Sequence, residues 1–395
     1  MDIQSTPRAN RLHIALFGKR NSGKSSLLNA LTHQQVSLVS DILGTTTDPV
    51  YQSMEVPGLG SCVWVDTAGF DDEGELGMLR IGQTLKVLDK TDVAVLLCTG
   101  TDVSEEKKWL QRLKEKKVPT LVLLSKADLC PQQDEVLAKL ESLLGIRPLA
   151  VSSQQGFGLE AVREALVRLA SDEVQPSIVA HLVQAGHLVL LVMPQDIQAP
   201  KGRLILPQVQ TLRELLDLKC SVMCCTTDDL EITLKNLSRH PDLIITDSQV
   251  FHTVYEKKPA DSRLTSFSVL FARQKGDIAY FTQSTETLES LRPHSRVLIA
   301  EACTHAPLNE DIGRVKLPAM LRKRFGQSLQ IDIVSGADFP KDLSPYDLVI
   351  HCGACMFNRK HVLNRVAQAK AQHIPMTNYG VTIAWLNGIL PKIVY

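Results

Sequence analysis

No apolar run in this chain approaches the ~20 residues that a membrane helix needs. Residues 187–193, among the most apolar, stop far short of it, so no membrane association is expected. The first residues, from Met1 to Arg8, hold no apolar signal core, and export is not expected. There is no charge of one sign in excess: 43 Lys and Arg balance 43 Asp and Glu. A large nucleic-acid footprint is therefore not expected, and no cluster of basic and aromatic residues suggests a local one. Cysteine is scarce early on, with only Cys62, Cys98 and Cys130 before residue 220, and the total of nine is odd. That is not a secreted disulfide framework, and a reducing cytoplasm is the expected compartment. The composition is otherwise that of a globular protein, 44% apolar and 22% charged. The 395 residues suffice for two or three domains with real cores.

What is present begins with Gly18-Lys19-Arg20-Asn21-Ser22-Gly23-Lys24-Ser25, which fits G-x-x-x-x-G-K-[ST] at every fixed position. An apolar run at 12–17 reads as a strand before it, and residues 26–31 read as a helix start after it. Gly18 and Gly23 let successive backbone N–H groups, from Asn21 and Ser22 through Ser26, converge on phosphate at a helix N-terminus. Lys24 reaches the β- and γ-phosphates and Ser25 ligates Mg²⁺. From residue 12 to about 170, apolar strands at 61–65, 93–98 and 119–124 alternate with helices at 105–117 and 134–144. That is a doubly wound α/β pattern.

Strand ends carry the remaining nucleotide elements. Asp66-Thr67-Ala68-Gly69 can hold Mg²⁺ through water and offer the Gly69 N–H to the γ-phosphate. Thr46, within Thr45-Thr46-Thr47, can complete the Mg²⁺ shell. In Ser125-Lys126-Ala127-Asp128 the carboxylate accepts both guanine N1–H and N2–H, and the Lys126 stem stacks on the base. Ser152 and Ser153 can offer a backbone N–H to guanine O6. The set resembles the translation-factor-related GTPases of the TrmE-Era-EngA type, in the Gly18-x-x-Asn21 form of the loop and in Gly44-Thr45-Thr46. Two departures stand out. Phe70 occupies the place where Ras-like proteins have a catalytic Gln, and it cannot orient water. In relatives with that substitution a K⁺ ion, held partly by the equivalent of Asn21, takes over, so slow, potassium-stimulated hydrolysis is implied. The bland alternative for Asn21 is a residue kept for its backbone geometry. Ser125 stands where the family has Asn or Thr, which weakens the expected tie back to the phosphate loop.

Residues 171–177 read as a polar linker. Strands at 187–193, 221–226 and 243–246, with helices at 209–218 and 228–238, form a smaller α/β unit that could pair its sheet edge with a second subunit. Cys220, Cys224 and Cys225 lie there without a His at ligand spacing and read as small buried strand residues.

In the last part, the strands at 296–300 and 346–350 run into Cys303-Thr304-His305 and His351-Cys352-Gly353-Ala354-Cys355. Strand C-termini are where parallel sheets place ligands. A structural zinc site, a Cys352–Cys355 redox dithiol and a three-cysteine [4Fe–4S] cluster with one open iron all fit this spacing. A GTPase domain, a middle domain and this C-terminal pattern together resemble the HydF family of [FeFe]-hydrogenase maturation GTPases, over the whole chain. The resemblance implies a GTPase domain at 1–172, a dimerisation domain at 178–265 and a cluster-binding domain at 266–395. It implies that Cys303, Cys352 and Cys355 bind a [4Fe–4S] cluster, with His305 and His351 as pattern histidines and candidate exchangeable ligands. It also implies a homodimeric carrier that takes a transient two-iron precursor from the radical-SAM maturases HydE and HydG. The carrier would deliver the precursor to apo-hydrogenase and hydrolyse GTP to GDP. An RNA-modification or ribosome-assembly GTPase with a structural zinc domain is the competing reading.

Overall fold

The computed structural model describes residues 11–32, 49–56, 60–71, 74–171, 176–194, 204–302, 312–336, 338–354 and 357–395. The chain divides into two compact units, Met1–Val174 and Gln175–Tyr395. Both are α/β, as the apolar runs require.

The first unit is built on β1 (Leu12–Gly18), β2 (Val50–Val56), β3 (Gly60–Asp66), β4 (Val93–Cys98), β5 (Thr120–Ser125) and β6 (Leu149–Val151). They form one sheet in the order β2-β3-β1-β4-β5-β6. Only β2 runs antiparallel. The sequence pattern does not announce β2, because its polar residues mark a half-exposed edge rather than a buried strand. Alternation along the central strands supplies both faces. Ile14, Leu16, Val95 and Leu97 share one core with Leu27 and Leu28 of the helix Lys24–Thr32. Ala15, Phe17, Ala94 and Leu96 share the other with Trp109 and Leu113 of the helix Ser104–Glu115. β1 lies between β3 and β4; the connection after β1 runs to one side of the sheet and the one after β3 crosses to the other, so the loop after β1 lies at the point where connections diverge. That is where open α/β sheets bind ligands. Cys62 and Cys98 belong to these cores, and burial pushes both thiols up to about 12.

The second unit holds two four-stranded parallel sheets. One is β10-β9-β7-β8, from β7 (Leu188–Val192), β8 (Ser221–Cys225), β9 (Leu243–Thr246) and β10 (Arg263–Ser266). The other is β12-β11-β13-β14, from β11 (Arg296–Ala300), β12 (Gln330–Val334), β13 (Leu348–His351) and β14 (Met376–Asn378). A single core joins them, running from Leu190, Ile244 and Phe251 to Leu298, Val349 and Met376. The sequence boundary at 265 falls inside β10, which leads directly into the helix Phe267–Lys275. Cys220 is buried, whereas Cys224 is exposed on the edge strand β8. The expectation of three buried strand cysteines is corrected there, since an edge strand shows one face to solvent. Among the described residues, no helix is long and apolar enough to cross a membrane.

Candidate functional site

The phosphate loop is seated between β1 and the helix Lys24–Thr32. Asn21 and Gly23 both take left-handed backbone, at φ 56° and 90°, so the geometric reading of Asn21 has a basis whatever else it does. A Cβ on Gly18 would meet Ser22 Oγ at 2.5 Å and the Leu97 carbonyl at 3.0 Å, which leaves no room for a side chain. Lys24 is 7% exposed. Its ammonium donates to the carbonyls of Gly18 at 2.9 Å and Lys19 at 2.7 Å. Ser25 Oγ donates to Asp66 Oδ2 at 2.5 Å, and two hard oxygens so paired suit Mg²⁺. Thr46, the third Mg²⁺ candidate, lies outside the described residues.

Gly69 packs on the phosphate loop itself. A Cβ there would fall 2.7 Å from Arg20 N, and Asp71 Oδ1 accepts from that same amide at 2.5 Å. Phe70 turns the other way. It is 4% exposed and stacks on Trp109 at 5.4 Å, which stacks on Phe17 at 5.6 Å. Its neighbourhood is the core, which explains why an apolar residue is suited to the place.

At the base end, Lys126 sits at φ 56° before the short turn Ala127–Leu129 that carries Asp128. The weakened tie expected at Ser125 is not what forms. The Ser125 hydroxyl donates to the Ser22 carbonyl, a backbone contact 103 residues away in sequence, so a short side chain keeps the base loop joined to the phosphate loop. The Ser152 N–H, one of the two candidates for guanine O6, donates to the Phe157 carbonyl at 3.0 Å.

Cys352 sits at the C-terminal end of β13, where its N–H donates to the Ala300 carbonyl of β11 at 2.9 Å, again where connections diverge. Cys303, His305 and Cys355 lie outside the described residues. Cys352 follows β13 and is partly exposed. Its Sγ accepts from the N–H of Ala302 at 2.9 Å and of Ala354 at 3.4 Å. Ala302 immediately precedes Cys303 in the chain, and Ala354 immediately precedes Cys355. Both strand-end segments that bear the other cysteines thus donate to the same sulfur. N–H donors of this kind favour a thiolate, the form that binds soft metals, so the surroundings of Cys352 suit a thiolate ligand. Among the described residues, no group of three His, Cys, Asp or Glu side chains could hold an ion.

His351 does not present a ring nitrogen for ligation. It is 1% exposed. Nδ1 lies 2.8 Å from the Cys352 carbonyl and Nε2 lies 2.9 Å from the Arg365 guanidinium. A guanidinium only donates and a carbonyl only accepts, so the proton is on Nδ1. Burial, with Arg365 beside it, holds the imidazole down to about 3. The candidate ligand is instead a neutral strut under Cys352. Sequence reasoning missed its partners. Arg365 is stacked between Phe339 and Phe357 at 4.7 and 4.8 Å, Asn378 donates to the Cys352 carbonyl at 3.3 Å, and Lys275 supports the loop from another helix. No spacing rule ties these positions to Cys352, because they come from separate elements.

Residues 279–395 match the hydrogen maturase F tetramerization domain, 178–276 the hydrogen maturase F dimerization domain, and 13–126 a 50S ribosome-binding GTPase domain. Among curated proteins, the tRNA modification GTPase MnmE of Paraburkholderia xenovorans is 34% identical over 182 residues, 46% of this chain and 39% of that protein. The GTPase Der of Wolinella succinogenes is 31% identical over 178 residues, 42% of this chain and 37% of that protein. The matched stretch therefore spans about two fifths of the length of these relatives. Among solved structures, Era of Aquifex aeolicus bound to GDP and aluminium fluoride aligns at 16% identity. That alignment has a TM-score of 0.37 and covers 62% of this chain and 97% of that one.

Proposed function

Because the chain belongs to the hydrogen maturase F family, we propose that it is a GTP-hydrolysing scaffold. It holds a [4Fe–4S] cluster on Cys303, Cys352 and Cys355, accepts a two-iron precursor beside that cluster and delivers it to apo-[FeFe]-hydrogenase. HydE and HydG supply the precursor. The observation that carries this reading is the pair of N–H groups, from Ala302 and Ala354, on Cys352 Sγ. It supports a thiolate at Cys352, to which the residues preceding the other two cysteines donate. His351 acts as a positioning residue rather than a ligand, and the fourth iron site stays open for exchange.

In the GTPase domain, backbone N–H groups from Asn21 to Ser26 cradle the phosphates, and Lys24 neutralises charge on the β- and γ-phosphates. Ser25 and Thr46 would hold Mg²⁺ directly and Asp66 through water; the metal supplies charge neutralisation between the phosphates. Gly69 senses the γ-phosphate, Lys126 and Asp128 read the base, and Asn21 holds K⁺ in place of an orienting Gln. Residues 178–276 make the homodimer.

Three results follow. Chain purified from cells that also make HydE and HydG should activate apo-[FeFe]-hydrogenase, whereas chain made without them should not; equal activation would sink the carrier role. GTP hydrolysis should be slow in Na⁺ and faster in K⁺, and Asn21→Ala should remove the difference. The same rate in both salts would overturn the role given to Asn21. Asp128→Asn should shift preference from GTP toward xanthosine triphosphate, because an acceptor becomes a donor; an unchanged ratio of turnover with the two nucleotides would refute the base contact.

A further inference from the structure

Asp71, the residue after Phe70, makes a contact that the roles assigned above leave unused. It is exposed, yet its Oδ1 accepts the backbone N–H of Arg20, in the phosphate loop, at 2.5 Å. The bond reaches across 51 positions of sequence and is charge-assisted, the stronger kind of hydrogen bond. It ties together two segments that Gly69 already brings into contact. A Cβ on Gly69 would fall 2.7 Å from Arg20 N and 2.9 Å from Asp71 Oδ1. Arg20 comes one residue before the run of N–H groups, Asn21 to Ser26, that would cradle phosphate. The carboxylate therefore holds the loop without occupying a donor of that cradle.

Phe70 anchors the same segment from the other side. It is buried and stacks on Trp109 at 5.4 Å. Trp109 lies three residues after Glu106 on the helix Ser104–Glu115, so the two share a face. Both are buried, and Glu106 Oε2 lies 3.6 Å from the Lys19 ammonium. One helix therefore backs both the phosphate loop, through Lys19, and the segment after Gly69, through Phe70. Position 70 serves packing and position 71 serves the loop, and between them Gly69 is fixed against Arg20.

We infer that Asp71 is a positioning residue for GTP hydrolysis, a latch that holds Gly69 on the phosphate loop with its N–H preset for the γ-phosphate. This rests on the GTPase reading above, in which Gly69 senses that phosphate. GDP has no γ-phosphate, so the latch matters for the triphosphate alone. Water screens the charge of an exposed carboxylate, and the latch needs only its acceptor oxygen. The test uses the full-length protein, with steady-state hydrolysis and the affinities for GDP and for the non-hydrolysable analogue GMPPNP as readouts. Asp71→Ala should lower kcat about tenfold or more, the scale on which misplaced groups cost rate. It should weaken GMPPNP several-fold and leave GDP affinity within about twofold of wild type, as a change at an exposed position allows. Asp71→Asn keeps an acceptor on the side chain and should restore most of the rate and of the GMPPNP affinity. An Asp71→Ala variant with wild-type kcat, or with GDP and GMPPNP weakened alike, would overturn the inference. Tighter GMPPNP binding by that variant would overturn it too, because the carboxylate would then be competing with the γ-phosphate for the loop. Gly69→Ala separates the latch from the reading beneath it. Unchanged hydrolysis and GMPPNP affinity in that variant would remove the sensing role of Gly69 itself, whatever the Asp71 variants do.

Discussion

Lys24→Ala should cut GTP hydrolysis by at least about a hundredfold, the size of effect seen when one preorganised charge or donor is removed from a transition state. Iron and sulfide content should stay at the wild-type level. The first half follows from where the ammonium sits. Buried under the phosphate loop, it is held by the Gly18 and Lys19 carbonyls, in the backbone that would cradle the β- and γ-phosphates. The neighbouring Lys19 is drawn away to Asp102 and Glu106 at 3.2 and 3.6 Å. The second half follows from the division of the chain. The phosphate loop belongs to Met1–Val174 and the cysteine loop to Gln175–Tyr395, with separate cores. Steady-state hydrolysis and iron analysis on the same preparation check both halves. Loss of the cluster along with hydrolysis would contradict separable roles.

The Cys303/Cys352/Cys355→Ala variant should do the opposite. It should hold no cluster and fail to activate apo-hydrogenase, yet hydrolyse GTP within about twofold of wild type, as changes away from a core usually allow. Cys352 is only partly buried and lies past the end of β13, so its loss leaves no large cavity. Cys62 and Cys98 are the contrasting case. They are fully buried within β3 and β4, and their raised thiols suit packing rather than metal chemistry. Thermal unfolding of the variant, measured beside hydrolysis, separates lost ligation from lost fold.

The phosphate loop, Asp66 and the base loop were legible because each is a short string at a strand end, where sequence adjacency and spatial adjacency coincide. The central strands were legible because burial on both faces leaves unbroken apolar runs. What escaped depends on contacts between distant positions. Ser125 looked like a weak substitute until its reach to the Ser22 carbonyl was visible. The bond from the Ser152 N–H to the Phe157 carbonyl was not legible, because it depends on how the loop after β6 folds back. His351 looked like a ligand because it adjoins Cys352, and only the position of Arg365 on another helix shows both ring nitrogens engaged. Lys275 carries no motif at all. Its role comes from a helix end brought against a loop some 80 residues on.

Iron, sulfide and zinc content, with an EPR spectrum after reduction, should be measured on anaerobically reconstituted wild type beside the triple cysteine variant. About four irons and four sulfides per chain with a paramagnetic reduced cluster, absent from the variant, is the expected result. One zinc per chain, no sulfide and no signal would contradict it and make the cysteine loop a structural zinc site on a GTPase.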